Sequence, residues 1–251
     1  MNYKKFAETN SVWNQGGFNH SAVVGSVMAL AKELSPTSAE DFEEKYYLSG
    51  EEREIIINKM SENKIKDLND INFLRSNNSN LSALTENEKE LMFKKGRSKN
   101  YIDKVVDEFA SYAGITKSES RSYVRTRLFK ETFEGYQEEI KAREILEKLY
   151  PNFKVVSSSA EHDSNYAIDL EFWYKEKLVA GVQVKPRSYA QFKNDVTKST
   201  IRLNKEKNEK FKKKFKAPVL WYYYDNKGKK TLRGFDDKSN YLLNQLLRDA
   251  S

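Results

Sequence analysis

The sequence predicts an α+β protein in which a largely helical N-terminal region precedes a mixed β-sheet flanked by helices. Helical stretches bounded by Pro, Ser and Gly fill the first half of the chain. The second half alternates short runs of β-branched and aromatic residues with long helical stretches. Aromatic residues make up 13% of the 251 residues, enough to build a core in an otherwise polar chain. We therefore expect a helical region over residues 1–120 and the sheet over residues 121–251.

The helices of the first region are predicted from their boundaries. Pro36 ends the first helix, Thr37 and Ser38 cap the second, and Gly50 separates the second from the third. An Asn- and Ser-rich stretch over 69–84 is typical of a loop. The predicted helices cover 21–34, 39–47, 51–64, 85–95 and 99–113.

Gly114 lies between two helical stretches and could form the tight turn of a helix-turn-helix unit. Units of this kind place a helix in the major groove of DNA. Three basic residues would suit that role: Arg121, Arg125 and Arg127. An ordinary helical hairpin with a solvated basic face is the alternative, and we favour it because such hairpins are common.

The second region begins with a helix over 131–149, which Pro151 ends. Three strands follow, and the polar Lys175-Glu176-Lys177 suits a hairpin between the second and the third. A basic helix then leads to a strongly apolar strand and a terminal helix. The predicted strands cover 153–157, 167–174, 178–184 and 218–224, and the later helices cover 198–215 and 241–248.

Composition excludes several kinds of site and favours a polyanionic partner. Without cysteine the chain has no disulfide and no Cys-based zinc site, and two histidines cannot form a three-histidine centre. The net charge of +7 suggests nucleic acid, because Lys and Arg near phosphates release condensed counterions; ordinary solubility is the alternative. No apolar run is long enough to span a membrane and the N-terminus is unlike a signal peptide, so we expect a cytoplasmic protein.

Two neighbouring strands carry polar residues in an apolar setting. Asp169 interrupts an apolar strand, and Gln183 and Lys185 alternate with Val182 and Val184 in the next strand. Residues two apart in a strand share a face, so Gln183 and Lys185 point the same way, and a hairpin can bring Asp169 beside them. The sequence therefore predicts one acid, one amide oxygen and one ammonium group on one edge of the sheet.

This combination suits metal-dependent hydrolysis of a phosphodiester. Hard divalent cations prefer oxygen ligands, so Asp169 would be the main ligand, joined by the Gln183 amide oxygen and the Val184 carbonyl. The cation would offset transition-state charge and activate a water, and Lys185 would orient that water and stabilise negative charge. The alternative is a partly buried ion pair between Asp169 and Lys185 that is purely structural.

The order of elements and the Asp, Gln-x-Lys pattern resemble the core of the PD-(D/E)xK nucleases, and within that group the chain resembles the MjaI-type restriction endonucleases. Three stretches carry the narrower resemblance: 14–28, which begins Asn-Gln-Gly-Gly-Phe-Asn-His, 129–135, Phe-Lys-Glu-Thr-Phe-Glu-Gly, and 184–189, Val-Lys-Pro-Arg-Ser-Tyr. The resemblance implies a type II restriction endonuclease that cuts double-stranded DNA at a specific sequence and leaves 5′-phosphate ends. It also implies Mg²⁺ as cofactor, with Mn²⁺ able to substitute, a homodimer, and a prokaryotic cytoplasm.

Gln183 departs from the family pattern, which has a second acid at this position. An amide binds a cation less strongly than a carboxylate does and leaves the site one negative charge short. Nucleases of this type often draw a glutamate from the helix before the sheet. The mid-helix Glu144 is our choice for that ligand, and Glu139 is the alternative. Three further acids near the Asp169 strand could contribute: Glu161, Asp163 and Glu171.

Two loops are candidates for DNA contact. Glycines in the first permit close backbone approach, and its amide side chains can pair with adenine edges, although a turn that caps a helix is equally consistent. The second follows the catalytic strand, where its side chains would meet phosphates that flank the cut. The candidates are Asn14, Gln15, Gly16, Gly17 and Asn19 in the first loop and Arg187, Ser188, Tyr189 and Lys193 in the second. The lysines over 205–216 form either a solvated helix face or a source of sequence-independent attraction.

Two other functions fit the same residues. One is a different nuclease of the same fold, such as a repair or junction nuclease. The other is a non-catalytic DNA-binding protein in which the hairpin from Asp169 to Lys185 is structural. The large helical N-terminal region favours restriction, because recognition of a sequence needs additional surface.

Overall fold

An α+β architecture with a five-stranded mixed sheet confirms the predicted fold class. The computed structural model describes residues 25–60, 85–88, 95–191, 195–225 and 232–249. The chain forms two compact units, Met1–Tyr136 and Gln137–Ser251. The described part of the first unit is helical, and the second unit contains the sheet.

The division between the units falls later than the boundary near residue 120 that the sequence suggested, and it falls inside a helix. Residues beyond 120 contribute buried side chains to the core of the first unit, where Tyr123, Val124, Leu128 and Phe129 pack with Phe42. Apolar residues at this spacing bind the segment to the first unit, although its sequence has the same helical character as the segment that follows.

Four α-helices of the first unit are described in full or in large part. They are α1 (Gly25–Leu34), α2 (Ala39–Ile57), α3 (Lys99–Ala113) and α4 (Lys117–Arg125). The Ser38 hydroxyl accepts a hydrogen bond from the amide of Asp41, as expected for the cap of α2. The loop predicted over 69–84 lies outside the described residues, as does most of the helix predicted over 85–95.

The predicted break at Gly50 is wrong, because α2 runs through it without interruption. A Cβ atom on Gly50 would lie 2.1 Å from the carbonyl carbon of Arg97. The glycine therefore permits close approach of a second backbone segment, which is a different use of the residue from ending a helix.

The tight turn predicted at Gly114 is present. Gly114 adopts a left-handed conformation with φ of 62° at the end of α3, and Thr116 and Glu119 form a reciprocal capping box at the start of α4. The three nearby arginines are paired with carboxylates of the same unit: Arg121 with Asp103, Arg125 with Glu43 and Arg127 with Glu131. These ion pairs favour an ordinary helical hairpin, because each guanidinium already has an anionic partner.

A π-helical turn over Thr126–Lys130 joins α4 to the next helix, α5 (Glu131–Leu149). The remaining helices are α6 (Ala160–Tyr166), α7 (Asp195–Phe215) and α8 (Asp237–Asp249), with a 3₁₀ turn over Arg187–Gln191. The strands are β1 (Lys154–Ser157), β2 (Leu170–Tyr174), β3 (Lys177–Pro186), β4 (Val219–Asp225) and β5 (Leu232–Phe235). The sequence did not predict α6 or β5. None of the described helices has the length and apolar character needed to span a bilayer.

The five strands are ordered β1-β2-β3-β4-β5. Neighbouring strands are antiparallel except β3 and β4, which are parallel and joined through α7. The two faces of the sheet have separate cores. Ala142 and Leu146 of α5 and Leu243 of α8 pack on one face, and Tyr166 of α6 and Phe211 of α7 pack on the other.

The alternation within β3 decides which of its residues face each core. Val182 and Val184 belong to the core beneath α5 and α8. Gln183 and Lys185 therefore lie on the opposite face, which α6 and α7 cover. This face is the one that carries the polar residues singled out in the sequence.

Candidate active site

Asp169 is held between two strands immediately before β2 begins. Helix α6 ends at Tyr166, and the capping residue Ala167 adopts a left-handed conformation with φ of 54° and turns the chain toward the sheet. The backbone amide of Asp169 donates to the carbonyl of Val182, and the amide of Ser158 donates to the carbonyl of Asp169. These bonds fix the backbone at the position that carries the carboxylate.

The Asp169 carboxylate and the Lys185 ammonium meet as the sequence predicted. Oδ2 of Asp169 accepts hydrogen bonds from the backbone amide of Val184 at 2.7 Å and from Nζ of Lys185 at 2.8 Å. Asp169 is only 4% exposed. A catalytic centre and a structural ion pair both predict this contact, so the surrounding residues must distinguish them.

The charge on Lys185 is strongly favoured by its surroundings. Burial alone would lower the pKa of this ammonium, but the Asp169 carboxylate and the charges of Glu139 and Asp163 outweigh burial, and the net pKa is raised. Lys185 is therefore a cation that is bonded to Asp169 and further stabilised by the charges of one acid on α5 and one on α6.

Gln183 is the least expected member of the site. Its side chain is fully buried, and neither its amide nitrogen nor its amide oxygen has a hydrogen-bond partner among the described residues. Leaving a buried amide unsatisfied costs about 1–3 kcal/mol, so a buried amide of this kind calls for a polar partner such as a water or an ion. The amide oxygen of Gln183 is of the type that a hard divalent cation binds.

The glutamates of α5 occupy different environments. Glu144, our first choice as the additional ligand, is exposed, whereas Glu139 is 9% exposed and its charge acts on Lys185. Burial and electrostatic coupling to the centre both favour Glu139 over Glu144. Within the described ranges, no group of three or more His, Asp or Glu side chains is arranged as a ready metal cage.

The other acids suggested by the sequence also have distinct surroundings. Glu171 accepts hydrogen bonds from Nε1 of Trp173 at 3.0 Å and contacts Nδ1 of His162 at 2.6 Å, so its carboxylate is already engaged. Asp163 is partly exposed and acts on the charges of Lys185 and Lys207. The side chain of Glu161 lies outside the described residues.

Three stacked aromatic rings come from the turn after β3 and from the neighbouring strand β4, and sequence reasoning identified only the first of them. The rings of Tyr189 and Trp221 are 6.0 Å apart, and those of Trp221 and Tyr223 are 6.1 Å apart, in stacked arrangements. Gln183 and Lys185 pair with Trp221 and Tyr223 across the parallel strands β3 and β4. The pairing of β3 with β4 would have identified Trp221 and Tyr223 from the sequence, but this pairing can be used only when the two strands are known to be adjacent.

Tyr189 is fixed in place by Asn204 of α7, whose Nδ2 donates to the tyrosine hydroxyl at 2.8 Å. Burial raises the pKa of both Tyr189 and Tyr223, and the nearby charge of Lys185 partly offsets that increase. Both phenols are therefore close enough to Lys185 to feel its charge. The rings form one wall of the candidate site.

The remaining residues predicted to contact DNA are only partly described. Arg187 is exposed and Ser188 partly exposed in the 3₁₀ turn after β3. The candidates Asn14, Gln15, Gly16, Gly17, Asn19 and Lys193 lie outside the described residues.

The basic helix α7 carries both solvated and engaged lysines. Exposed lysines include Lys205, Lys210 and Lys213, whereas Lys212 pairs with Glu209 and Lys207 is partly buried. Burial lowers the pKa of Lys207, and the charge of Asp163 partly offsets that decrease. Lys207 is therefore not part of a fully solvated helix face.

Comparison with known proteins identifies one family. The family model of the MjaI restriction endonuclease matches residues 9–233, a range that covers most of the chain and includes Asp169, Gln183 and Lys185. No curated protein matches the chain, and no solved structure does.

Proposed function

The chain belongs to the MjaI restriction endonuclease family, and we propose that it hydrolyses double-stranded DNA at a centre formed by Asp169, Gln183, Lys185 and Glu139. Membership of the family implies cleavage of DNA at a specific sequence. The proposal adds the catalytic residues, a divalent cation, and products that carry 5′-phosphate ends.

The observation that carries the proposal is the unsatisfied amide of Gln183 beside Asp169. A structural ion pair between Asp169 and Lys185 gives no reason to bury an amide without hydrogen bonds next to it. A divalent cation held by Asp169 would give the Gln183 oxygen a partner, and the Val184 carbonyl could be a further donor. All of these donors are oxygens, which fits Mg²⁺, with Mn²⁺ as a substitute.

Glu139 supplies the negative charge that Gln183 lacks. With one carboxylate and one ammonium, the pair of Asp169 and Lys185 is formally neutral and would attract a cation weakly. The buried carboxylate of Glu139 makes the centre net negative. We therefore assign to Glu139 the role that we first gave to Glu144.

Lys185 acts on the phosphate in this mechanism. The bound cation would lower the pKa of the attacking water and offset charge on the phosphate. The Lys185 ammonium, oriented by its 2.8 Å bond to Asp169, stabilises the additional negative charge that develops as the phosphorus is attacked. The bond from the Val184 amide holds the carboxylate in a fixed orientation, so the ammonium is positioned before substrate arrives.

The exposed basic residues provide the attraction for DNA. Arg187 follows the catalytic strand directly, and exposed lysines line α7, which covers the same face of the sheet. Contacts of this kind go to phosphates and position the duplex without reading its sequence. Recognition of bases would then fall to other segments, among them the Asn- and Gln-rich loop over 14–19.

We further propose that the protein acts as a homodimer in the cytoplasm of a prokaryotic cell. One centre cuts one strand, so two centres related by a two-fold axis would cut both strands of a palindromic site. The helical N-terminal region would provide the surfaces for recognition and dimerisation.

Incubation of the purified protein with plasmid DNA and Mg²⁺ tests the proposed function. Discrete fragments with ligatable 5′-phosphate ends are expected. Nicking or a smear would instead indicate a non-restriction nuclease of the same fold. DNA binding without cleavage under Mg²⁺ or Mn²⁺ would contradict the proposal and favour a non-catalytic binding protein.

A further inference from the structure

Three polar residues form a row across the sheet at the level of Asp169. Ser158 follows β1 and lies opposite Asp169, because the β1–β2 register continues by one residue and the Ser158 amide donates to the Asp169 carbonyl at 3.0 Å. On the other side, the Asp169 amide donates to the Val182 carbonyl and the Val184 amide donates to the Asp169 carboxylate, so Gln183 is the residue of β3 between these two contacts. Asp169 therefore has one neutral polar neighbour on each adjoining strand.

The side chains of this row share one face of the sheet. Val156 and Glu171 are paired across β1 and β2 and line the same cleft, whereas Val155 and Phe172 belong to the core on the opposite face. Ser158 lies two residues beyond Val156, so it points with Val156 and Glu171. Opposed residues on neighbouring strands have Cβ atoms about 5 Å apart, which brings Ser158 within reach of the Asp169 carboxylate.

Both neutral neighbours of Asp169 are buried and unsatisfied. Ser158 is 7% exposed, and its hydroxyl has no hydrogen-bond partner within the described parts of the chain. The Gln183 amide on the other side is also buried and also has no hydrogen-bond partner among the described residues. Natural proteins contain a few such groups per hundred residues, but two of them on the strands on either side of one buried carboxylate indicate a site prepared for something polar.

We propose that the Ser158 hydroxyl is part of the cation site and accepts a hydrogen bond from the hydration shell of a divalent cation held by Asp169 and Gln183. The inference rests on the proposed function and extends it to a residue that the family pattern does not indicate. Ser158 is a positioning residue, because it acts through the shell of the cation and does not touch the phosphate. Groups that orient a metal's ligands in this way typically change its affinity by ten- to a hundredfold.

Manganese binding measured on the full-length protein tests this role without relying on activity. Electron paramagnetic resonance of free Mn²⁺ gives the affinity of the wild type and of Ser158→Ala. We expect Ser158→Ala to weaken Mn²⁺ binding about tenfold while leaving the Tm of the metal-free protein unchanged or higher. The Tm expectation follows because the variant removes a buried hydroxyl that has no partner among the residues that the structure describes.

Two variants control for changes unrelated to the cation. Ser157→Ala removes the same hydroxyl from the adjacent residue, which is exposed and faces the other way, and should bind Mn²⁺ like the wild type. Ser158→Thr keeps a hydroxyl at the site and should restore most of the affinity that Ser158→Ala loses.

The outcomes separate this inference from the proposed function. Wild-type affinity in Ser158→Ala would overturn the inference, and so would a lower Tm of the metal-free variant with unchanged Mn²⁺ binding. A wild-type protein that cuts plasmid DNA but binds no Mn²⁺ in the absence of DNA would overturn the inference alone. A wild-type protein that neither binds Mn²⁺ nor cuts DNA would contradict both.

Discussion

Glu139 and Glu144 lie on the same helix, but only Glu139 is buried, and its charge acts on the Lys185 ammonium. The two residues have identical side chains, so the difference comes from the helix face that each occupies. Glu144 faces solvent, where a glutamate needs no functional explanation. Glu139 is buried, and its charge acts on Lys185, so we propose that it adds the negative charge that a cation centre with a glutamine requires.

Substitution of these two glutamates should therefore have opposite outcomes. Glu139→Gln removes a charge from the centre and should lower the cleavage rate by at least about a hundredfold and weaken Mn²⁺ binding. Glu144→Gln removes the same charge from the same helix and should change neither by more than about twofold. Plasmid cleavage and Mn²⁺ titration check both variants. Loss of cleavage in Glu144→Gln with normal activity in Glu139→Gln would show that Glu144, and not Glu139, is the additional ligand.

Gln183→Glu restores the acid that the family pattern has at this position. Without metal, the variant should be less stable, because a second carboxylate is buried beside Asp169 and like charges there repel. With Mg²⁺ or Mn²⁺, it should gain more in Tm than the wild type gains, retain cleavage, and change its preference among divalent ions. Thermal unfolding with and without metal checks the first part. Complete loss of cleavage would show that the centre requires a neutral amide.

Glu138, the neighbour of Glu139, has a structural role. Its side chain is 5% exposed and accepts two hydrogen bonds from Arg233 of β5, at 2.9 and 3.0 Å. Glu138→Ala leaves the largely buried Arg233 guanidinium without this carboxylate, and Arg233→Ala leaves the buried Glu138 with only the exposed Lys141 at 3.1 Å, so each should lower the unfolding free energy by about 2–4 kcal/mol. The exposed Glu147→Ala on the same helix should cost less than about 0.5 kcal/mol.

Urea unfolding measures these losses. The variant that lacks both Glu138 and Arg233 should lose clearly less than the sum of the two single losses, because the residues are coupled. Additive losses would mean that the pair contributes no interaction energy and that α5 is held to β5 by other contacts.

The exposed lysines of α7 should account for part of the attraction to DNA. In Ca²⁺, a variant with Lys205, Lys210 and Lys213 changed to Ala should reduce the slope of log affinity against log salt by up to about three, roughly one for each lost phosphate contact. A variant with Lys148, Lys175 and Lys177 changed to Ala carries the same change of charge on other exposed positions. Equal slopes for the two variants would exclude α7 as the DNA-contacting surface.

Periodicity and strand pairing explain why much of the sheet could be predicted from the sequence. The predicted β3 and β4 are present with ends that differ by at most two residues, and the hairpin at Lys175 brings Asp169 beside Lys185 as expected. Both results depend on the alternation of apolar and polar residues within a strand and on the pairing of strands that are consecutive in the chain. Such local patterns are what a single sequence contains.

The parts that could not be predicted depend on contacts distant in sequence. Gly50 resembles a helix break, yet it lies inside α2 because the backbone of Arg97 passes close to it. Trp221 lies beside Gln183 through the parallel pairing of β3 and β4, and Ser158 is bonded to Asp169 across β1 and β2. The short polar helix α6 has no apolar periodicity by which it could be found. The choice between Glu139 and Glu144 required knowing which helix face meets the sheet.

The most direct test of the Asp169, Gln183 and Lys185 centre is the cleavage rate of Lys185→Ala, measured together with DNA binding in Ca²⁺. The matched control is Lys177→Ala, which removes an exposed lysine from the start of the same strand and should cut like the wild type. We predict that Lys185→Ala loses cleavage by at least about a thousandfold and binds DNA within about threefold of the wild type. Cleavage by Lys185→Ala at close to the wild-type rate would contradict the assignment of this centre.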